Sequence, residues 1–153
     1  MLKVKHYRQT PGLCGPYSLK ILFSFFGKDE GIKKLIKLSR ATAKHGSEYF
    51  DLIKTAKTLG AKTWSKNQAT LKDIDTWVNK KHLPVIVGWF SEYTDHYSVI
   101  IGMDKKFIYM SNPEEDRAVT KIEKNFFNNV WFQFAGKKNE KIVWRWMMAI
   151  TKF

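Results

Sequence analysis

The first half of the chain alternates apolar and polar residues with the period of a helix. Leu19, Leu22, Phe23 and Phe26 fall at helical spacing behind Pro16 and ahead of Gly27, which predicts a buried helix over 16–26. Ile32, Leu35, Ile36 and Leu38 lie between lysines over 31–39, and Phe50, Ile53 and Leu59 mark an amphipathic stretch over 47–59 with Ser47 as cap and Gly60 as stop. Thr70 and Asp73 form a capping-box pattern ahead of Leu71, Ile74, Trp77 and Val78, so a fourth helix is expected to end near Lys80, before Pro84. From Pro84 the period shortens. Segments 85–90, 97–101 and 107–110 are short, β-branched or aromatic, and read as strands. Thr120 with Glu123 gives another capping box and a short helix through Phe126 and Phe127; strands follow over 130–134 and 142–150, around a turn at 136–139. Helices first and strands after predict an α+β fold with an antiparallel sheet.

Composition narrows this picture. The 153 residues are 44% hydrophobic and 15% aromatic, enough for one folded domain over 1–153 and too apolar for disorder. Neither a signal peptide nor a membrane-spanning run of about 18 apolar residues stands out, so the expected location is cytoplasmic. The net charge is +13, from 27 Lys and Arg against 14 Asp and Glu, which raises the question of nucleic acid. The lysines are scattered singly and in pairs, and arginine, which reads bases and phosphates bidentately, is scarce. No specific nucleic-acid partner is expected from that pattern, and the oligomeric state is open.

One cysteine cannot form an internal disulfide, so Cys14 is a buried hydrophobe, an interchain link or a reactive thiol. Its place at the mouth of the first helix, where backbone N–H groups point outward unpaired, favours thiolate over thiol. Among the histidines, His6, His45 and His82 read as surface residues, whereas His96 begins a strand. The next strand runs back towards Asn112-Pro113. A turn centred on Asp104 would set His96 and Asn112, each eight residues from it, opposite one another with Cβ atoms about 5 Å apart. A cysteine nucleophile needs a base, and the base needs a group that fixes its tautomer; Cys14, His96 and Asn112 supply those residue types. Gln9, five residues before Cys14, can add a side-chain amide to the Cys14 N–H as a donor to an oxyanion.

Gln9 with Cys14-Gly15-Pro16-Tyr17-Ser18-Leu19, Gly46-Ser47, Leu83-Pro84-Val85-Ile86-Val87, His96-Tyr97-Ser98-Val99-Ile100-Ile101-Gly102-Met103-Asp104, Asn112-Pro113, and Phe126 with Trp131 resemble, in order and spacing, the C39-like peptidases of the papain-like superfamily. The resemblance implies a papain-like α+β fold, hydrolysis of a peptide or protein substrate through a thioester, and no metal or other cofactor. It implies Cys14 as nucleophile, His96 as base, Asn112 as its orienting residue and Gln9 as oxyanion donor. The best-known members trim leader peptides after a double glycine and are attached to membrane exporters. This chain differs from them in carrying Asn112 where they usually carry Asp, and Leu13 where an acidic residue often precedes the cysteine. An acyl or peptidyl transferase using the same thioester, and a non-catalytic basic binding module on the same fold, are the alternative readings.

Overall fold

The first three helices pack on one face of a sheet built almost wholly from the second half. A computed structural model describes every residue except Tyr93. Helices α1 (Cys14–Ser24), α2 (Ile32–Ser39) and α3 (Tyr49–Thr58) lead into strand β1 (Lys62–Lys66) and helix α4 (Leu71–Asp75), which continues as a π-helical turn, Thr76–Lys80. Strands β2 (Val85–Ser91), β3 (Thr94–Met103), β4 (Phe107–Ser111) and β5 (Thr120–Glu123) precede α5 (Lys124–Val130), and β6 (Phe132–Ala135), β7 (Lys141–Trp144) and β8 (Met147–Lys152) complete the chain. Among the described residues the main sheet has six strands in the order β1-β8-β2-β3-β4-β5, every pair antiparallel, and β6 and β7 form a separate hairpin. This is the expected α+β class.

Both faces of the sheet are covered. Leu19, Ile21, Leu22 and Phe23 of α1, with Leu35 and Leu52, pack on Ile86, Tyr97, Val99, Ile101, Met148 and Ile150. On the other face Ile74, Trp77, Val78, Phe127 and Trp131 cover Val85, Val87, Trp89, Ile100 and Met110. Central strand β2 is therefore apolar without alternation, as a strand buried on both sides must be.

Several boundaries differ from the sequence expectation. Helix α1 begins at Cys14, two residues earlier than Pro16, because Tyr17 already donates its backbone N–H to Leu13 O at 3.2 Å. Strand β1, Lys-Thr-Trp-Ser-Lys, was hidden by its polarity: it is an edge strand paired only with β8, where lysines are tolerated and discourage further pairing. Thr120–Glu123 is a strand and not the opening of a helix. It pairs with β4, which sets Ile122 opposite Ile108, and the helix starts afterwards. The capping box at Thr70 and Asp73 forms as expected, with both reciprocal bonds present. Segment 142–150 divides at Arg145, whose φ of 51° breaks the strand and whose N–H bonds Trp131 O; β7 then pairs with β6, and β8 enters the main sheet.

The β3–β4 hairpin does not turn about Asp104. Its tip is Lys105-Lys106, closed by Asp104 N–H to Phe107 O at 2.9 Å and capped by the Asp104 carboxylate, which accepts from the N–H groups of Lys106 and Phe107. A bulge leaves Ile101 unpaired between Ile100↔Met110 and Gly102↔Tyr109, and the last pair is Val99↔Ser111. Continued by one residue, that register puts Asn112 opposite Ser98, with His96 as its diagonal neighbour on the same face.

Candidate active site

Cys14 is the first residue of α1, and the cap residue before it, Leu13, has no side-chain acceptor to occupy the free N–H groups of the first turn. Pro16 contributes no N–H of its own. The approach to the helix is held tightly. Gly12 has a φ of +84°, and a Cβ there would meet Ala43 O at 2.1 Å, so the turn before Cys14 is pressed against the Thr42–Gly46 turn. Gly15 is equally close-packed, since a Cβ would lie 2.7 Å from Ser47 Oγ. The thiol itself is buried, close enough to the imidazole of His96 to favour a positive charge there.

His96 lies near the start of β3 opposite Trp89 of β2, and the residue is 2% exposed. The Trp89 indole meets it edge to face at 5.9 Å and is itself fixed by donation from Nε1 to Ser98 Oγ at 3.1 Å. Asn112, one residue past β4, places Oδ1 2.5 Å from His96 Nε2. The same Oδ1 accepts the backbone N–H of Glu114 at 3.1 Å. A backbone N–H can only donate, so the oxygen of the Asn112 amide, and not its nitrogen, faces this side. An oxygen can only accept, so His96 Nε2 carries a proton, and in the neutral ring Nδ1 is left with its lone pair for the thiol.

The charge on the ring follows from these neighbours. Burial works against the imidazolium, but the Cys14 side chain, the Asn112 oxygen and the Glu114 carboxylate together outweigh it and hold the His96 pKa above its ordinary value. Such surroundings favour a positive charge on the ring.

Gln9 is brought to this site from the N-terminal segment. Its N–H donates to Pro113 O at 2.7 Å, next to Asn112. His6, read from the sequence as a surface residue, is instead half-buried and braces the same contact: one ring nitrogen bonds Ser111 Oγ and the other Glu115 O, each at 2.7 Å. Arg8 pairs with Asp116. The side-chain Oε1 of Gln9 is buried and has no hydrogen-bond partner among the described residues.

The chain thus brings Cys14 to the ring that Asn112 binds, and holds Gln9 by its backbone to Pro113, next to Asn112. Two neighbours escaped the sequence reading. Trp89 follows from the β2–β3 pairing, which places it across from His96. Glu114, with Oε2 3.7 Å from His96 Nε2, is signalled by Asn112-Pro113, a pair that bends the chain back on itself. Asp95 and Asp116, aspartates close in sequence to His96 and Asn112, are committed elsewhere: Asp95 accepts the Phe134 N–H at 3.0 Å, and Asp116 pairs with Arg8. Among the described residues, no three His, Cys, Asp or Glu side chains are gathered as metal ligands would be.

Comparison with known proteins places this arrangement in a family. The "Pediocin PA-1 transport/processing ATP-binding protein PedD" of Pediococcus acidilactici is 29% identical over 124 residues, which is 80% of this chain and 16% of that protein. The chain spans 16–18% of the length of the curated relatives it matches. The crystal structure of the peptidase domain of Streptococcus ComA, a bi-functional ABC transporter involved in a quorum-sensing pathway, superposes with a TM-score of 0.75 at 22% identity and covers 100% of both chains. A double glycine motif protease from an AMS/PCAT transporter, solved in complex with the leader peptide, has a TM-score of 0.69 at 18% identity over 98% of this chain and 94% of that one. At those identities the structures share the fold. The model of the peptidase C39 family matches residues 4–135, which include Gln9, Cys14, His96 and Asn112. The chain belongs to the peptidase C39 family and is a cysteine peptidase.

Proposed function

We propose that the chain cleaves a peptide or protein amide bond through a thioester on Cys14, with His96 as base and then acid, Asn112 as the residue that orients His96, and Gln9 as an oxyanion donor. The observation that carries this reading is the bond between His96 Nε2 and Asn112 Oδ1 at 2.5 Å, with the Cys14 side chain on the same buried ring. The Cys14 proton passes to His96, and the thiolate attacks the carbonyl carbon. The tetrahedral oxyanion takes the Cys14 N–H at the open end of α1 and the side-chain amide of Gln9. A glutamine whose Oε1 has no partner is free to turn its NH2 towards that charge. Imidazolium then protonates the departing amine, the C–N bond breaks, and the acyl group stays on sulfur. Water, deprotonated by His96, attacks the thioester and releases the acid and the thiol. Asn112 accepts from Nε2–H throughout.

A single unpaired thiol suits a reducing compartment, consistent with a site that works on the cytoplasmic side; among the described residues no helix is long and apolar enough to cross a membrane. Peptides carrying a double glycine are the first substrates to try, since one structural relative is a double glycine motif protease solved with its leader peptide. The test is labelling of native protein by a thiol-directed activity probe, with product masses from a peptide pool. Labelling of Cys14 that is lost in His96→Ala supports the assignment, and labelling indifferent to His96 overturns it. Water as the acceptor is read from the masses: a hydrolysed acid is expected, and an aminolysis product would make the chain a transferase.

A further inference from the structure

Asn112 accepts from His96 but carries no charge, whereas the ring it orients must hold a positive one once the thiol has ionised. The nearest negative side chain is Glu114, whose Oε2 lies 3.7 Å from the same nitrogen, Nε2, that Asn112 binds. Three features make this approach a built one. The Glu114 backbone N–H donates to Asn112 Oδ1 at 3.1 Å, so the turn that fixes the amide also delivers the carboxylate. The stem of that turn is anchored on both sides, by Gln9 N–H to Pro113 O at 2.7 Å and by His6 to Glu115 O at 2.7 Å. The imidazole has lost nearly all of its water, while the Glu114 side chain is half exposed, so its charge is available to the ring without a full desolvation cost.

We propose that Glu114 is a second positioning residue of the site: Asn112 sets the tautomer and direction of His96, and Glu114 supplies the negative charge that keeps the thiolate–imidazolium pair populated as pH rises. This rests on the assignment of Cys14 and His96 made above. The other groups facing the ring are accounted for. Cys14 approaches from α1, and Trp89 of β2 meets it with an uncharged edge. Asp95, beside it on β3, is bound to the N–H of Phe134. Glu114 is thus the carboxylate with the ring in reach.

Glu114→Gln tests this, because it keeps the side-chain shape and leaves the backbone bond to Asn112 in place while removing the charge. Removing a negative neighbour lowers the pKa of His96, so the alkaline limb of kcat/KM for peptide cleavage, which needs the imidazolium as acid, moves to lower pH. A half-exposed pair is expected to change kcat/KM about two- to fivefold at the pH of that limb. Ring-proton NMR of His96 should show the same downward shift. The difference between wild type and Glu114→Gln should shrink at 1 M salt, where the screening length falls to about 3 Å, as a purely steric contact would not. The proposal is overturned if the variant's profile overlies wild type at low salt, or if a loss of activity is independent of both pH and salt. His96→Ala is run alongside. Iodoacetamide alkylation of Cys14 that ignores that change refutes the underlying assignment, whereas alkylation that depends on His96 with a cleavage profile that ignores Glu114 refutes only the role of Glu114.

Discussion

Replacing Asn112 by alanine isolates what the orienting amide contributes. The amide oxygen has two donors, His96 Nε2 at 2.5 Å and Glu114 N–H at 3.1 Å, and both His96 and Asn112 are buried. In the transition state the ring is imidazolium, so the lost bond is charge-assisted and worth about 1.5–3 kcal/mol. At 1.36 kcal/mol per tenfold, kcat/KM should fall about 10- to 150-fold. Leaving the buried ring N–H without its acceptor also costs about 1–3 kcal/mol of stability. For a chain of this size that is a Tm drop of roughly 2–4 °C per kcal/mol, which leaves the protein folded at room temperature. Asn112→Asp retains the acceptor and adds a charge beside imidazolium. That raises the His96 pKa further, moves the alkaline limb upward and preserves much of the activity. The assay is the pH dependence of cleavage of a peptide pool by wild type, both Asn112 variants and Cys14→Ala, with folding followed by circular dichroism. If Asn112→Ala equals wild type at every pH while Cys14→Ala is inactive, the amide does not orient the base and the argument from the tautomer fails.

Gln9→Ala should lower kcat about 10²- to 10³-fold with little change in KM, as expected for a donor used only by the oxyanion; an effect confined to KM would make Gln9 a substrate contact. Gly12→Ala combines a left-handed φ with a clash against the Ala43 carbonyl, and should cost about 1–3 kcal/mol in urea unfolding and slow Cys14 alkylation by displacing the helix mouth; unchanged stability would contradict the close approach. Asp104 has its pKa lowered to about 2 by Tyr109 and by the N–H groups of Phe107 and Lys106, so its contribution is complete above pH 3.8 and is lost as pH falls towards 2. Asp104→Asn should therefore flatten acid unfolding in that window, and identical acid curves for the two proteins would refute the cap.

The order of helices and strands was legible because the periodicity of buried faces is local information. The site was legible for a different reason: the residue types needed for thiol chemistry are few, and Cys14, His96 and Asn112 stand at element ends. The β3–β4 register was not legible. Turn chemistry placed Asp104 at the turn, but as the cap of the tip, while the bulge at Ile101 is set by tertiary contacts, among them Leu2 N–H bound to the Ile101 carbonyl at 2.8 Å. The diagonal relation kept His96 and Asn112 on one face in spite of the slip, since a displacement of two residues restores the pleat. Strand β1 was missed because edge position permits a polar sequence, and Glu114 because its approach depends on a bend that folds three residues back on themselves.

Cys14 rides on a helix and His96 on the sheet beneath it, and Leu19, Ile21 and Leu22 of that helix pack on Tyr97 and Val99 of the strand that carries His96, away from solvent. The gap across which the proton travels is consequently a thickness, set by how many methylenes fill one layer. Deleting or adding a carbon at Leu22 or Val99 would raise or lower the helix by fractions of an ångström, enough to retune proton transfer with every catalytic atom retained. In this architecture the interior works as a spacer, and turnover is open to adjustment from positions that no substrate touches.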